Sequence, residues 1–422
     1  MSKTVYVLGA GVNQSIKDNK GASPPLNSNF FQVAEKKGWF SREKNMPDWM
    51  KILSPILKFI WNYWKIDEDD LATKDFDFEG LFTFIESQLA DAENENEKQQ
   101  LEEITSKLRS FVFQLLTRLE FEPSGYFDHK TENFIRTFSD FAECIWKEQA
   151  TIITFNYDTF LEHAIHLVSG WNLETMKDIS QKMRTTGPPQ MMMQAEDYLF
   201  DHNWLSALAY GVNKFDLVQT ENAGVRSLVD GKKFYELHKK MEDLTILKMH
   251  GSVNWLRYTG DREGPFFPGD LVTSLSSSDM KKVFLIEEYF HPMSVPNLDG
   301  WIVDPIIVPP TLFKEKYFEH ELFKPIWQRA REELSVCENL IIIGYSFPQT
   351  DFKTTKLFLE AFRDHNPKTL TVVNPNSSVV QKAKELTHFK EPISWCKNLE
   401  EYVLPFKREE ASRREESLGK IP

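Results

Sequence analysis

Polar side chains that could take part in catalysis directly follow several short apolar runs of the sequence. Asn156 and Asp158 come at the end of the run that starts at Ala150, and His250 follows the run that starts at Leu244. An amide can bind a hydroxyl group or a water molecule, and a neutral imidazole can accept a proton near pH 7. The first question is therefore whether the fold brings these groups to one site.

The sequence contains six short apolar runs that predict buried strands. They cover residues 4–11, 150–156, 244–252, 301–310, 339–346 and 369–376, and each ends in Gly, Asn, Ser, His or Pro. Continuous apolar runs are typical of the central strands of a parallel sheet, and doubly wound sheets bind ligands at the carboxyl ends of their strands. We therefore expect an α/β fold, a Rossmann-like doubly wound parallel sheet, with these polar residues at one edge.

Long stretches between the strands predict large helical insertions at about 41–147 and 166–240 in a domain that covers residues 1–405. The first insertion carries an apolar stripe at helical spacing, formed by Leu81, Phe84, Ile85 and Leu89. The second contains Gly187-Pro188-Pro189 and the run Met191 to Met193, which we interpret as packing rather than a cofactor site. The charged tail at 406–422 predicts a solvated helix end or a disordered segment.

Composition excludes several classes of function. The net charge of −13 argues against a protein that mainly grips a nucleic-acid backbone. The three cysteines lie far apart, which favours reduced cytoplasmic thiols over disulfides or a zinc ribbon. The start of the chain lacks a signal-peptide pattern, and the apolar runs are too short to span a bilayer. His163 and His166 lack further ligands at a convincing spacing, so no metal is expected.

A glycine motif follows the first predicted strand. Gly9, Ala10 and Gly11 would let the backbone approach a pyrophosphate and would offer amides at a helix N-terminus. Gln14 stands where the dehydrogenase fingerprint has its third glycine, and no strand ending in an acidic residue follows about 20 residues later, so hydride transfer is disfavoured. A tight strand-to-helix turn without a ligand is the alternative.

The motifs taken together, in their order along the chain, resemble a known family. Gly-Ala-Gly, then "TFNYD" (154–158), "MHGS" (249–252), "GYS" (344–346) and "VNPN" (373–376) resemble the sirtuin-like family, and more closely the bacterial sirtuin-like NAD-cleaving proteins of anti-phage defence. Those relatives also carry two further segments, which read "VPPTLFKE" (308–315) and "GYSFPQTD" (344–351) here. The resemblance covers roughly residues 1–35, 148–165, 244–256 and 300–380.

The resemblance implies that NAD is the substrate and that no metal takes part. It assigns Asn156 to the nicotinamide ribose and the attacking water, and Asp158 to the carboxamide. His250 takes the position of the family's catalytic histidine, which accepts a proton from a ribose hydroxyl. Both catalytic candidates have alternatives: Asn156 as the N-cap of the helix that begins near Asp158, and His250 as a hydrogen-bonded core residue.

Further contacts to NAD follow from the same resemblance. Gly344 and Ser346 would approach phosphate or ribose, and Asn374 would bind the adenosine ribose. Asn13 stands where the family often has Ser or Thr, and it can still form a hydrogen bond with phosphate or ribose. Asp351 could simply cap the helix that follows it.

Three functions compete at this stage. The first is an NAD glycohydrolase that depletes NAD when triggered, and the second is an NAD-dependent protein deacylase. The lack of a four-cysteine zinc module counts against the deacylase. The third is a non-catalytic subunit that binds NAD or ADP-ribose. Because unrestrained NAD cleavage would kill its host, the resemblance implies gating through a homo-oligomer and a second protein such as a HerA-type ring ATPase.

Overall fold

The computed structural model describes most of the predicted strands and most of the first predicted insertion. The described residues are 3–16, 23–40, 49–120, 132–168, 217–219, 244–258, 283–285, 303–318 and 323–418. Among them, no helix has the length and apolar character needed to cross a membrane.

The strands of the described residues form two sheets. They are β1 (Thr4–Leu8), β2 (Thr151–Thr154), β3 (Leu217–Gln219), β4 (Thr245–Lys248), β5 (Gly251–Tyr258), β6 (Val283–Leu285), β7 (Val303–Ile307), β8 (Asn339–Ile343), β9 (Thr369–Val373) and β10 (Ser394–Cys396). The larger sheet has the order β10-β9-β8-β1-β2-β4, and all of its strand pairs are parallel. In chain order this is the arrangement of doubly wound dinucleotide-binding folds, with its reversal between β1 and β8. The predicted fold class is confirmed.

The carboxyl ends of five parallel strands lie in one row. Leu8 pairs with Thr154 on one side and with Ile343 on the other. Thr154 pairs in turn with Lys248, and Ile343 pairs with Val373. Because neighbouring strands are about 4.8 Å apart, the row spans about 19 Å. Residues one or two positions beyond it lie at the same edge of the sheet, where folds of this type bind ligands.

The second sheet has the order β3-β6-β5-β7, and its strand β5 follows β4 after two residues. Strand β5 pairs antiparallel with both β6 and β7. The prediction of a central parallel strand at 301–310 is therefore wrong, because β7 is an edge strand of this second sheet. Pro305 supplies the physical reason, since proline cannot donate a hydrogen bond and is confined to edge strands or strand ends.

The helices of the described residues cover the sheets and form most of the first insertion. They are α1 (Phe30–Lys36), α2 (Trp49–Trp64), α3 (Glu68–Thr73), α4 (Phe78–Asp91), α5 (Glu95–Glu120), α6 (Glu132–Glu148), α7 (Phe160–Val168), α8 (Phe323–Ser335), α9 (Phe352–Ala361), α10 (Ser378–Thr387) and α11 (Leu399–Leu418). Short 3-10 helices cover Ala10–Ser15 and Lys314–Tyr317. Helix α4 begins after Asp77, whose side chain accepts a hydrogen bond from the Gly80 amide.

Two separate hydrophobic clusters stabilise these layers. One surrounds the parallel sheet and includes side chains of α6 to α11. The other is formed by α1 to α5 together with Val253 of β5 and Ile307 of β7. In α4, the predicted stripe contributes Leu81 and Ile85 as fully buried residues. The helical part of the chain thus has a core of its own, which is continuous with the second sheet.

Other predicted segments lie partly or wholly outside the described residues. The predicted insertion at 166–240 is described only at the end of α7 and in β3, and Met191 to Met193 lie outside the described residues. Helix α11 continues through Pro405 into the charged tail as far as Leu418.

Candidate functional site

The loops after β1 and β8 cross in direct backbone contact where the strand order reverses. The amides of Gly9 and Gly11 donate to the carbonyls of Ile343 and Gly344 at 3.0 and 3.1 Å. A Cβ atom on Gly9 or Gly11 would lie 2.7 or 2.8 Å from Gly344 backbone atoms. Gly344 has φ +63°, and a Cβ atom there would lie 2.2 Å from the Val12 nitrogen. This crossing is sufficient to require glycine at all three positions, whether or not a ligand binds.

The element after Gly9 is shorter than the sequence predicts. It is a 3-10 helix of 6 residues, so its amides do not form the N-terminus of a long helix. Ala10 is exposed and Asn13 is buried. A ligand at the crossing would therefore meet backbone atoms, without the dipole of a long helix.

Replacing Gly344 with Ala is expected to lower the free energy of unfolding by about 2–4 kcal/mol. The left-handed backbone accounts for about 1 kcal/mol, and the clash with Val12 accounts for the rest. Gly38→Ala is the matched control, because Gly38 has φ +79° and open space around it. We expect this control to lose only about 1 kcal/mol in urea unfolding. Equal losses in the two variants would contradict the crossing as the reason for Gly344.

Asn156 joins the end of β2 to the glycine crossing. Its side-chain Nδ2 donates to the Gly9 carbonyl at 3.2 Å, and the residue is 9% exposed. Helix α7 begins only at Phe160, whose amide donates to Asp158 Oδ1 at 3.3 Å. The alternative that Asn156 caps this helix is therefore wrong, because Asn156 lies four residues before the first residue of the helix.

Asp158 and Asn13 bind each other. Asn13 Nδ2 donates to Asp158 Oδ2 at 2.7 Å, and both side chains are buried. Burial raises the pKa of Asp158 to about 6, a net shift that Lys248 opposes and to which Glu162 contributes. These two predicted site residues thus connect the loop after β1 with the loop after β2.

A buried cation below this loop was missed by the sequence analysis. Lys248 is the last residue of β4 and is 1% exposed. Its ammonium donates to the Asp158 carbonyl and forms an ion pair with Glu162 at 3.0 Å. Lys248 at the end of β4 and Glu162 in the first turn of α7 therefore stabilise the Asn156–Asp158 loop.

His250 lies at the end of the neighbouring strand in an aromatic enclosure. The residue is 5% exposed, and its ring lies 5.1 Å from the Phe155 ring and 6.0 Å from the Phe318 ring. Within the described part of the chain, its Nε2 atom is buried and has no hydrogen-bond partner. The alternative of a hydrogen-bonded core histidine is thus wrong for this nitrogen. Burial lowers the pKa of His250 to about 4, so the imidazole is neutral at pH 7.

Asp351 is the nearest acidic neighbour that the structure gives to His250 Nε2. Its Oδ1 atom lies 3.7 Å from that nitrogen and also accepts from the Lys314 ammonium, while Oδ2 accepts from the Tyr345 hydroxyl at 2.8 Å. The side chain forms no capping bond with α9, so the cap interpretation of Asp351 is wrong. Burial raises the pKa of Asp351, but His250 and Lys314 outweigh it, and the net shift is downward.

Helix α4 holds the segment that carries Lys314. The polar face of α4 presents Glu79, Thr83 and Glu86 at helical spacing. Glu79 lies 3.3 Å from the Lys314 ammonium, and Thr83 Oγ1 accepts from the Leu312 amide at 3.1 Å. Glu86 accepts from the hydroxyls of two further residues of the segment, Thr311 and Tyr317. The helical insertion and the site are thus mechanically connected.

The remaining predicted contacts lie along the same edge, on β8 and β9. The Gly344 amide donates to the Val373 carbonyl at 2.9 Å, which places Gly344 beside the start of the loop after β9. Asn374 is buried, and its Oδ1 accepts from the Asn376 amide at 2.9 Å. Ser346 is exposed. The structure therefore brings the predicted residues to one edge but separates Asn374 from His250 by several strands.

The described ranges contain no cluster of three or more His, Cys, Asp or Glu residues that could hold a metal ion. His163 and His166 lie in α7, and their side chains fall outside what the structure describes.

Comparison with known proteins gives a distant structural likeness. No protein-family model matches the chain, and no curated protein sequence matches it. One solved structure, a crystal structure of a Sir2 homolog–NAD complex, is 12% identical over 95% of this chain and 87% of that chain, with a TM-score of 0.33. The fold class follows from the strand order and the parallel pairing.

Proposed function

We propose that this chain is an NAD⁺ glycohydrolase that releases nicotinamide and ADP-ribose. The observation that carries the proposal is a buried, neutral His250 in an aromatic enclosure, one strand away from Asn156 at the carboxyl edge of the parallel sheet. The ordered motifs of the sequence support the same reaction. Such a site can position a sugar and accept a proton without presenting a positive charge to it.

The proposed reaction breaks the bond between C1′ of the ribose and the nicotinamide nitrogen. The electron pair of this bond leaves with nicotinamide, and positive charge develops on the ribose. A water molecule held by Asn156 then forms the new bond to C1′, and His250 takes up the proton that is released and returns it to solvent. A neutral imidazole and an amide suit this step because neither opposes the developing charge.

We assign the other predicted residues to binding. The crossing of Gly9, Ala10 and Gly11 with Gly344 lets the diphosphate lie close to the backbone, although the three glycine amides already donate to carbonyls, and the exposed Ser346 offers its hydroxyl. Asn374 is assigned to the adenosine ribose.

Asp158 is assigned to the carboxamide. A carboxylate has about four lone-pair positions, so Asp158 can hold a ligand while it accepts from Asn13 and Phe160. Asn13 would act mainly through Asp158.

The rate is expected to be insensitive to mild acid. His250 must be neutral to accept a proton, and burial lowers its pKa to about 4, so activity is lost only as the pH falls through that value. An ordinary histidine would be about nine-tenths protonated at pH 5.5. We therefore expect kcat to change less than about twofold between pH 7 and pH 5.5. The measurement should use kcat rather than KM, because Asp158 titrates near pH 6 and belongs to the binding site.

Product analysis distinguishes this function from the two alternatives. Purified protein would be incubated with NAD⁺, with and without an acetyl-lysine peptide, and nicotinamide and ADP-ribose would be quantified. The proposal predicts equal release in both samples. Release only with the peptide would establish a deacylase, and binding without release would establish a non-catalytic subunit.

We further propose that the activity is gated and serves as an NAD-depleting effector in bacterial anti-phage defence. The resemblance of the motifs supports this role, and the low exposure of Asn156 and His250 supports a site that opens on demand. A homo-oligomer, or an assembly with a HerA-type ATPase, would supply the trigger. Light scattering combined with an activity assay tests this, and a fully active lone monomer would contradict it.

A further inference from the structure

The buried carboxylate of Asp351 is unexplained by the reaction as described so far. It binds no backbone amide of α9, although it directly precedes that helix. Its side chain instead faces His250, at the distance of 3.7 Å between Oδ1 and Nε2. A buried carboxylate is costly unless it is paired, and Lys314 and Tyr345 pair this one, yet the oxygen that binds Lys314 also faces the imidazole.

We propose that Asp351 is a positioning residue that fixes the tautomer of His250. In this arrangement Nε2 carries the proton and faces Asp351, which leaves Nδ1 as the ring nitrogen that accepts a proton from the substrate. The hydrogen bond at one imidazole nitrogen sets the protonation of the other, as it does in many catalytic and metal-bound histidines. The catalytic consequence rests on the proposed function, whereas the tautomer is a property of the free protein.

Two other groups hold Asp351 in this orientation. The Tyr345 hydroxyl fixes Oδ2, and the Lys314 ammonium fixes Oδ1, the same oxygen that faces the imidazole. Lys314 is itself held by Glu79 of α4. The carboxylate is thus fixed from the loop after β8, from the 3-10 helix at Lys314 and, indirectly, from the helical insertion. The two direct contacts keep Oδ1 of Asp351 facing the imidazole nitrogen.

Aromatic rings around His250 restrict the orientation of its imidazole, the partner of Asp351. Phe155 packs edge-on against the His250 ring, and Phe318 lies on another side. The separation of 3.7 Å between Nε2 and Oδ1 exceeds a hydrogen bond by roughly half an ångström. Catalytic hydrogen bonds are often long before substrate binds and shorten in the complex. A small rotation of the imidazole would be sufficient here.

The fixed tautomer has a definite chemical consequence. When the attacking water gives up its proton, its O–H bond breaks, an Nδ1–H bond forms, and Nε2 keeps its proton. The imidazolium that results faces the carboxylate of Asp351, which stabilises it. The ammonium groups of Lys314 and Lys353 act in the opposite direction on His250, so Asp351 is the group that makes protonation of this enclosed ring feasible.

Nitrogen NMR of the free protein tests the tautomer directly. The full chain would be labelled with ¹⁵N-histidine, and the His250 signals would be identified by their loss in His250→Gln. We expect the protonated nitrogen to be Nε2 near pH 7, and the bias to weaken in Asp351→Asn, whose amide can both donate and accept. A wild-type signal from protonated Nδ1 would overturn the proposal, even if the protein failed to cleave NAD⁺.

Kinetics tests the consequence for the reaction. We expect Asp351→Asn to lower kcat by about 10- to 1000-fold while KM stays within about threefold, because the change affects proton transfer rather than binding. Asp364→Asn is the matched control, since Asp364 is an exposed carboxylate bound to Arg363, and it should leave kcat unchanged. An active Asp351→Asn with unchanged kcat would refute the role of Asp351. Should Asp351→Asn fail to fold, the wild-type tautomer still decides the proposal.

Discussion

His250→Ala is expected to lower kcat for NAD⁺ cleavage by about 10²- to 10⁴-fold, the range typical of a removed general acid or base. The imidazole is enclosed by Phe155 and Phe318, and its Nε2 has no hydrogen-bond partner in the described residues. Its loss should therefore affect the chemical step more than the folded structure. Nicotinamide release under saturating NAD⁺ is the measurement.

Two further variants make the His250 result interpretable. His388→Asn is the matched control, because His388 is an exposed residue with φ +52°, a conformation that asparagine tolerates. It should retain full activity. Asn156→Ala should lose activity as His250→Ala does, because it removes the contact with the Gly9 carbonyl as well as the proposed water ligand. Wild-type kcat in His250→Ala would eliminate the assigned base.

Lys248→Met is expected to lower the free energy of unfolding by about 3–5 kcal/mol, the cost of removing one partner of a buried ion pair. The substitution removes the cation opposite Glu162 and the donor to the Asp158 carbonyl. The loop that carries Asn156 should then lose its lower support, so activity should fall even where the protein is still folded. Urea unfolding and the NAD⁺ cleavage assay measure the two effects.

The control for Lys248 is an exposed ion pair. Lys356 and Glu360 lie one turn apart on α9 at 3.7 Å, and both side chains are exposed. Lys356→Met should change stability by less than about 0.5 kcal/mol. In the double variant Lys248→Met with Glu162→Gln, part of the loss should be recovered because the uncompensated charge is gone. A loss for Lys248→Met as small as that for Lys356→Met would contradict the structural role of the buried pair.

Apolar runs allowed most of the parallel sheet to be predicted from the sequence. Strands buried on both faces need continuous apolar residues, and this pattern identified β1, β2, β4, β8 and β9. The same criterion failed for β7, because apolar content does not report which sheet a strand joins. It also missed β10, whose three residues Ser394–Cys396 are too short and too exposed to give such a run.

The edge of the sheet that carries the site was predictable, because parallel strands place their carboxyl ends together. The identity of the polar neighbours was not. From the sequence alone, a lysine in a strand such as Lys248 would be expected to face solvent. Its ion pair with Glu162 forms only in the folded chain. Asp351 reads as a helix cap, and its actual partner Lys314 is 37 residues away in the chain. Contacts between distant segments leave no local pattern in a single sequence.

The role of the glycine motif was also not predictable from the sequence alone. A sequence pattern cannot distinguish glycines needed for a ligand from glycines needed for packing, since both require close backbone approach. Here Gly9, Gly11 and Gly344 are explained by the crossing of two loops. That crossing places backbone at the reversal point of the sheet, so packing and the proposed ligand contact are compatible at these positions.

Water is the proposed acceptor of the ADP-ribosyl group, and isotope labelling tests this most directly. Purified protein would be incubated with NAD⁺ in H₂¹⁸O, and the mass of the released product would be measured. We predict ADP-ribose that carries one ¹⁸O atom at C1′, formed without any peptide and at a rate that His250→Ala lowers by about 10²- to 10⁴-fold. Absence of ADP-ribose from samples in which NAD⁺ is bound, or an acylated product formed only with a peptide, would contradict the claim.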